Sequence, residues 1–417
     1  MLKLIKTSSK NFRMKPRGCP LGFFIFLFLL NFSSAVKAQS RMLLLDNTVQ
    51  LQSTDAVNYM YNFKFDRAEK EFKELKKMYS THPLPYFLLG LNEWWKIVPN
   101  ISNKAYDDKF IAYMDTAIYW SEKLFELNED DIEAAFFLAA AYGFKGRLFS
   151  ERSEWTKAAF AGKNSLKYLD KSKNGNDLSP EFLFGDALYN YYSIWIPENY
   201  PVLKPILYFF PKGDKQLGLK QLKEVANNAF YTRTEAQNFL MNIYSISENN
   251  NLEAYHISKY LAETFPDNSY FQRFYARMLY YMGNYKETEA VSLDILNKIE
   301  RKMPGYEGTS GRYAAFYLGQ VYESLRNPGK AKEYYVKAIE YSKEVDALTS
   351  GYYLYSLTNL AQLCLAEKNK EEAKKYYQEV LEHAEKDHPT YDEAKNYIKK
   401  RKKQERKENR KKWIFFD

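Results

Sequence analysis

The sequence predicts an all-α solenoid of about eight antiparallel helix pairs. Internal self-similarity is the main observation. Leu318-Gly319 is followed by Tyr322, Ala331, Tyr335 and Ala338, and Leu360-Ala361 by Cys364, Ala373, Tyr377 and Val380. From the small residue the marks fall at +3, +12, +16 and +19 in both copies, with Asn327-Pro328-Gly329 and Glu367-Lys368-Asn369 between the halves. Each copy therefore reads as a helix, a tight turn and a second helix. Length agrees, because 417 residues exceed what one compact core organises. So does composition: Gly 17 and Pro 14 are few, Tyr 37 and Phe 29 are many, and 46% apolar with 27% charged residues describes a chain that folds.

The first 38 residues stand apart from the repeat. Lys3, Lys6, Lys10, Arg13, Lys15 and Arg17 precede an apolar run from Leu21 to Phe32, followed by Val36-Lys37-Ala38 and Gln39. A basic start, a short apolar stretch and small residues before a cleavage point predict a secretory signal peptide removed after Ala38. The run is shorter than the roughly 20 residues a spanning helix needs, and an uncleaved anchor is the alternative. Without that segment the chain carries 54 positive and 52 negative residues. A mildly acidic body then bears a basic tail, since residues 394–417 hold 11 positive and 3 negative residues. Only Cys364 lies beyond residue 38, so no internal disulfide is expected there, and its helical neighbours Leu360, Ala361 and Leu365 predict a buried, structural thiol.

Along the chain, Ala56, Tyr59, Ala68, Phe72 and Leu75 give the first copy, with Pro83 near its end. Gly90 begins the next first helix, partnered by 117–127. Ala139 and Tyr142 begin a third, partnered by 155–169, and Gly185 with Leu188 a fourth, partnered by 216–226. Met241, Tyr244, Ala254, Ser258, Leu261 and the terminating Pro266 follow with one extra turn residue. Ala276, Leu279, Gly283, Tyr285, Thr288, Ser292 and Ile295 precede the two clearest copies. A small residue in the first helix admits the second closely, and the residue three positions on covers the seam because i and i+3 share a face. Gly319 and Ala361 are thus the expected contact points between paired helices. The resulting organisation is a leader at 1–38, degenerate repeats at 39–193, an insert at 194–212, clearer repeats at 213–390 and a basic end at 391–417.

The insert is apolar and aromatic but holds Pro197, Pro201, Pro205 and Pro211, which argue against a continuous helix. It reads either as an extended loop packed on the solenoid or as a docking loop presenting Trp195 and Phe209. The tail reads either as a polar end-cap helix or, through Trp413-Ile414-Phe415-Phe416, as a contact with an anionic membrane surface. An exported chain makes nucleic acid a poor partner despite that charge.

Catalytic motifs are missing. Gly162-Lys163 lacks the preceding glycine of a phosphate loop, Gly308-Thr309-Ser310-Gly311 is no nucleophile elbow, and paired-Cys and His-Glu-x-x-His spacings do not occur. His82, His256, His383 and His388 are scattered, and read as solvated or capping residues rather than ligands. No enzyme, metal or cofactor is expected.

The repeated offsets resemble the tetratricopeptide repeat, although the late copies lie 42 or 43 residues apart rather than the family's about 34. The resemblance implies a right-handed superhelix whose first helices line a concave surface, with positions −3, +1 and +4 from the small residue pointing into it. Here those positions are Phe87, Leu91 and Trp94; Phe136 and Gly143; Phe182, Asp186 and Tyr189; Asn238 and Asn242; Arg273, Arg277 and Tyr280; and Phe316, Gln320 and Glu323. Such a groove is aromatic early, polar and cationic later. Either its aromatics pack between long helices, or they form a cleft for an apolar or peptide ligand whose anionic end meets Arg273 and Arg277. The aromatic-rich exported layout resembles repeat proteins of Gram-negative envelopes, which implies a scaffold with a protein or peptide partner there. The upstream half is similar in a general way to helical accessory components of tripartite transporters, which would imply a small apolar or anionic ligand instead.

Overall fold

The computed structural model of the chain describes residues 42–201, 204 and 211–414, with the backbone alone from 408 onward. The expected leader, Phe209, Phe415 and Phe416 lie outside the described residues. Among those described, seventeen α-helices form in eight pairs and a final single helix. They are α1 (Asn47–Tyr61) with α2 (Phe65–Met78), α3 (Pro83–Ile97) with α4 (Asp107–Leu127), α5 (Ile132–Glu151) with α6 (Trp155–Ser172), and α7 (Pro180–Asn199) with α8 (Lys215–Asn228). The second half holds α9 (Arg233–Asn242) with α10 (Asn251–Thr264), α11 (Ser269–Tyr281) with α12 (Tyr285–Glu300), α13 (Gly308–Ser324) with α14 (Pro328–Glu344), α15 (Gly351–Ala366) with α16 (Lys370–His383), and α17 (Pro389–Ile414).

Local chemistry sets the boundaries. Within four pairs the turn repeats one recipe: a left-handed residue, at Asn249, Gly283, Arg326 or Lys368, then an asparagine that caps the second helix. Asn250, Asn284, Asn327 and Asn369 accept from the amides of Glu253, Glu287, Lys330 and Glu372 at 3.2 to 3.3 Å. The fifth pair keeps this turn despite its extra residue because Ile243–Ser247 winds as a π turn, which absorbs one residue without changing the helix axis. The four successive helices α12 to α15 run 16 or 17 residues, which accounts for the wide spacing of the late small residues.

Gly319 shows why a small residue recurs. A Cβ there would lie 2.5 Å from the Tyr335 ring, which packs flat across α13. The first helices also touch one another, α11 against α13 and α13 against α15, forming an inner layer with the second helices outside.

The early pairs then meet the late ones across the inner side. Glu235 of α9 is buried and accepts from Trp95 Nε1 of α3 at 2.7 Å and from Tyr61 Oη of α1 at 3.3 Å. Asn268 donates to the Tyr61 carbonyl at 2.7 Å, and Arg273 of α11 donates to the Pro99 carbonyl at 2.8 Å. Tyr61 packs on Phe265, and Trp95 on Phe271. These hydrogen bonds span 140 to 207 residues of sequence and tie the array into a closed turn. The core correspondingly forms one large cluster from Leu43 to Met278 and a second from Ala276 to Ile398.

The insert departs from expectation at its start. Residues 194–199 are the last turns of α7, which runs through Pro197. A proline this close to the end forfeits a single i→i−4 bond, the one to the Ser193 carbonyl, and little helix remains beyond it to be kinked. Trp195 therefore sits on a helix rather than in a loop, packed against Tyr192 and Tyr200.

Two predictions follow from the packing. Gly319→Ala should cost about 1 to 3 kcal/mol through overpacking against Tyr335, whereas Gly283→Ala, with open space at its Cβ but φ of +73°, should cost about 1 kcal/mol through the backbone alone; denaturant midpoints equal to the parent's would contradict both. The second concerns pH. Burial raises the folded pKa of Glu235 above its unfolded value, partly offset by the charge of Arg147 and the bonds from Trp95 and Tyr61. Its stabilising share is thus complete below the unfolded carboxylate range and is lost as pH rises through the folded pKa. Glu235→Gln, which keeps the shape, should gain in stability relative to the parent between pH 4.5 and pH 8 (about those values), read by urea unfolding at each; an equal difference at both pH values would contradict this account.

Candidate functional site

The inner faces of α11, α13 and α15 bring three arginines together among tyrosines. Arg273 is buried, donates to Ser310 Oγ at 3.2 Å as well as to Pro99, and lies 5.1 Å from the rings of both Tyr270 and Tyr313. Arg277 rests 4.1 Å over Phe274 and donates to Ser245 Oγ at 3.1 Å. Arg312 lies 5.6 Å from the Tyr313 ring, and burial pulls its pKa down. The Nε atoms of Arg277 and Arg312 are buried without a hydrogen-bond partner. Ion-paired arginines of the described residues lie elsewhere, Arg152 with Asp107 and Arg401 with Glu371. The charge of Glu307 reaches Arg273 and Arg312 without an ion pair; burial raises its pKa, its Oε2 accepts from Thr309 N and Asn100 Nδ2, and its Oε1 is buried without a hydrogen-bond partner. Tyr313 and Tyr352 pack at 4.1 Å with their rings tilted by 39° beside this cluster, and Tyr317 faces Tyr352 across 3.4 Å between hydroxyls. Buried guanidinium donors with no anion opposite them are the chemistry of a carboxylate or phosphate site.

The remaining predicted residues of the second half brace this wall. Tyr280 donates to Gln320 at 3.1 Å, Gln320 to Tyr335 at 2.6 Å, and Tyr335 to Glu323 at 2.6 Å, a chain that knits α11, α13 and α14. Phe316 packs edge-on against Tyr352 at 5.1 Å. Asn242 holds Tyr270 in place, donating to its hydroxyl at 3.1 Å, with Asn238 buried beneath.

In the first half the structure corrects the expected groove. Phe87, Leu91, Trp94, Phe136 and Phe182 are buried, Trp94 and Phe182 to 1% exposure. Trp94 is wedged between Phe110 of α4 and Phe144 of α5, with the Arg147 guanidinium 4.8 Å over its ring. The reason is helix length: α4 and α5 run 21 and 20 residues, so their extra turns cover positions that shorter helices would leave open. Phe87, Leu91 and Phe136 border a void of about 30 Å³, room for one water and no ligand. Asp186 is engaged by Gln221 and Lys173, and Tyr189 donates to the Pro211 carbonyl. Phe136, Gly143, Phe182 and Tyr189 nevertheless share a second feature, a cavity of about 1030 Å³ among α5, α6 and α7.

Arg312, Tyr313, Tyr352 and Arg147 escaped the offset rule. Arg312 stands at −7 from Gly319 and Arg147 at +8 from Ala139, each one turn beyond the −3 and +4 positions on the same face. The signal was available in the length of the apolar pattern. Elsewhere, His82 accepts from Leu84 N to cap α3, and His388 from Thr390 N at the start of α17. Cys364 is buried, and burial pushes its thiol pKa up. Among the described residues no His, Cys, Asp and Glu cluster could hold a metal, and no helix is long and apolar enough to cross a membrane.

No curated protein sequence matches this chain. Among solved structures, the human IFIT1 dimers with PPP-AAAA and with m7Gppp-AAAA are each similar at 16% identity and a TM-score of 0.39, over 76% of this chain and 68% of theirs. The P58(IPK) tetratricopeptide-repeat domain is similar at 12% identity and a TM-score of 0.24, over 81% of this chain and 94% of that one. Residues 312–386, which are α13 to α16 with their connections, match the tetratricopeptide repeat family. On that match the chain carries tetratricopeptide repeats at 312–386, and a helix pair of the same kind recurs from α1 onward.

Proposed function

We propose that this protein is a non-catalytic scaffold of the cell envelope that captures an acidic segment of a partner protein on the wall formed by α11, α13 and α15. Tetratricopeptide repeats themselves suggest a protein-interaction role. The observation that carries the finer reading is the trio Arg273, Arg277 and Arg312, inward-facing and without ion pairs, with two buried Nε donors unsatisfied. A carboxylate supplied by a partner would satisfy donors that the fold leaves costly. The flanking tyrosines suit a peptide, since they give rigid contact area with hydroxyls at the edge. The envelope assignment rests on the basic and apolar start of the sequence before Gln39. One observation favours a second reading, a small-molecule-binding accessory protein of envelope transport: the cavity among α5, α6 and α7.

The scaffold reading is tested with a fluorescent oligoglutamate peptide and with affinity capture after crosslinking in the native envelope. The parent should bind oligoglutamate and ignore oligolysine. Arg277→Gln with Arg312→Gln should weaken binding by about tenfold or more per arginine, the worth of a charged hydrogen bond. Thermal stability should hold or rise, because the two orphaned donors are removed from the interior. Unchanged peptide binding and capture in the double variant would refute the site. Export is checked separately by sequencing the cell-derived protein, which should begin near Gln39.

A further inference from the structure

The cavity among α5, α6 and α7 lies apart from the arginine and tyrosine wall, and an inference about it stands or falls independently of the scaffold reading. Its volume of about 1030 Å³ arises where small residues face one another. Gly146 of α5 and Ala161 of α6 approach closely, with a Cβ on Gly146 meeting that of Ala161 at 3.5 Å. The next residue, Gly162, lines the cavity, and a Cβ there would meet nothing within 4 Å. The walls are apolar, from Phe136, Leu166, Phe182, Leu188 and Phe239. The cavity opens to solvent at its rim and has the size of a small-molecule site, and water gains little from its apolar walls.

The polar groups of the cavity are mainly of one sign. Arg147 reaches its lining from α5, and its guanidinium lies over two rings, 4.8 Å from Trp94 and 5.4 Å from Phe239. It makes no hydrogen bond or ion pair among the described residues. Its acidic neighbour Glu235 is committed to Trp95 and Tyr61, and burial raises the Glu235 pKa against the pull of Arg147. At the rim, the exposed Lys163, Lys204 and Lys212 outnumber Glu198. A planar cation held by aromatic stacking, with its donors free above an apolar chamber, fits one chemistry: an apolar body ending in a single anionic group.

We infer that this cavity binds an anionic amphiphile, with its apolar chain or ring system among α5, α6 and α7 and its acidic head on Arg147. The test uses two fluorescent probes that share one ring system, anilinonaphthalene sulfonate, which is anionic, and phenylnaphthylamine, which is neutral. Both are titrated into the purified, delipidated protein, with inorganic phosphate as a head-only control. The parent should bind the sulfonate saturably and more tightly than the neutral probe, and phosphate should not compete. Arg147→Gln should weaken the sulfonate by about tenfold and leave the neutral probe unchanged. Gly162→Trp, whose side chain enters open space, should abolish both while the melting curve is retained. Arg277→Gln with Arg312→Gln should alter neither, which separates failure here from failure of the peptide site. Three results would overturn the inference: no binding of either probe, equal binding of both that Arg147→Gln leaves untouched, or full binding in Gly162→Trp.

Discussion

The carboxyl of Glu235 joins helices that the repeat would keep apart. A solenoid in which each pair touches only its neighbours has stability that is a sum of local terms, and it can fray from either end. Here α9 reaches back to α1 and α3 through Tyr61 and Trp95, and Asn268 and Arg273 repeat the contact one pair later. Burying a carboxyl is costly unless it is hydrogen-bonded, and Glu235 Oε2 has no partner at all. The gain lies in the indole and phenol that it positions against Phe265 and Phe271, an apolar seam between the two ends of the turn.

That closure shapes the inner wall. Because Pro99 presents its carbonyl to Arg273, the Arg273 side chain is drawn toward α3 and its guanidinium comes to rest beside Tyr270 and Tyr313. Arg277 and Arg312 find no equivalent partner. The closed turn therefore buries Tyr61 and Trp95 and, through the neighbouring Pro99 contact, sets one arginine of the late wall in a fixed orientation. Glu181 does similar work at the next junction: its carboxylate accepts from the amides of Phe230, Tyr231 and Thr232 at the entrance to α9. A buried acid at a helix N-terminus fixes where α9 starts, and with it where Glu235 points.

The repeat architecture was legible because its cause is local. Gly319 against Tyr335, and the asparagine caps at 250, 284, 327 and 369, follow from residues within one pair. Even the extra residue near Met241 was visible, although the π turn that absorbs it was not. In the candidate site, Arg273, Arg277, Tyr280, Phe316 and Gln320 do come together because the late pairs keep the spacing on which the offset rule depends. Trp94 and Phe182 went wrong for a non-local reason. Their fate depends on the length of α4 and α5 and on the packing of neighbouring pairs, which offsets counted from one glycine do not encode. Pro197 misled by position, since a proline's effect on a helix depends on how near the end it falls.

The degeneracy of the first half is then a consequence of its burden rather than a loss of pattern. In a regular array one first-helix face meets the next pair and the other meets solvent or ligand. The first helices α1 and α3 meet α9 and α11 instead, so their inner positions must supply core. Four successive helices from α4 to α7 are lengthened to between 18 and 21 residues, and longer helices diverge at their ends unless large side chains fill the gap. Ala139, Gly143, Gly162 and Gly185 line the cavity among α5, α6 and α7, and at Gly162 no atom occupies the space that a side chain would take. The cavity is thus built by the same lengthening that erased the early repeat signature, and Arg147, on the added turn of α5, is brought to its wall by that extra length.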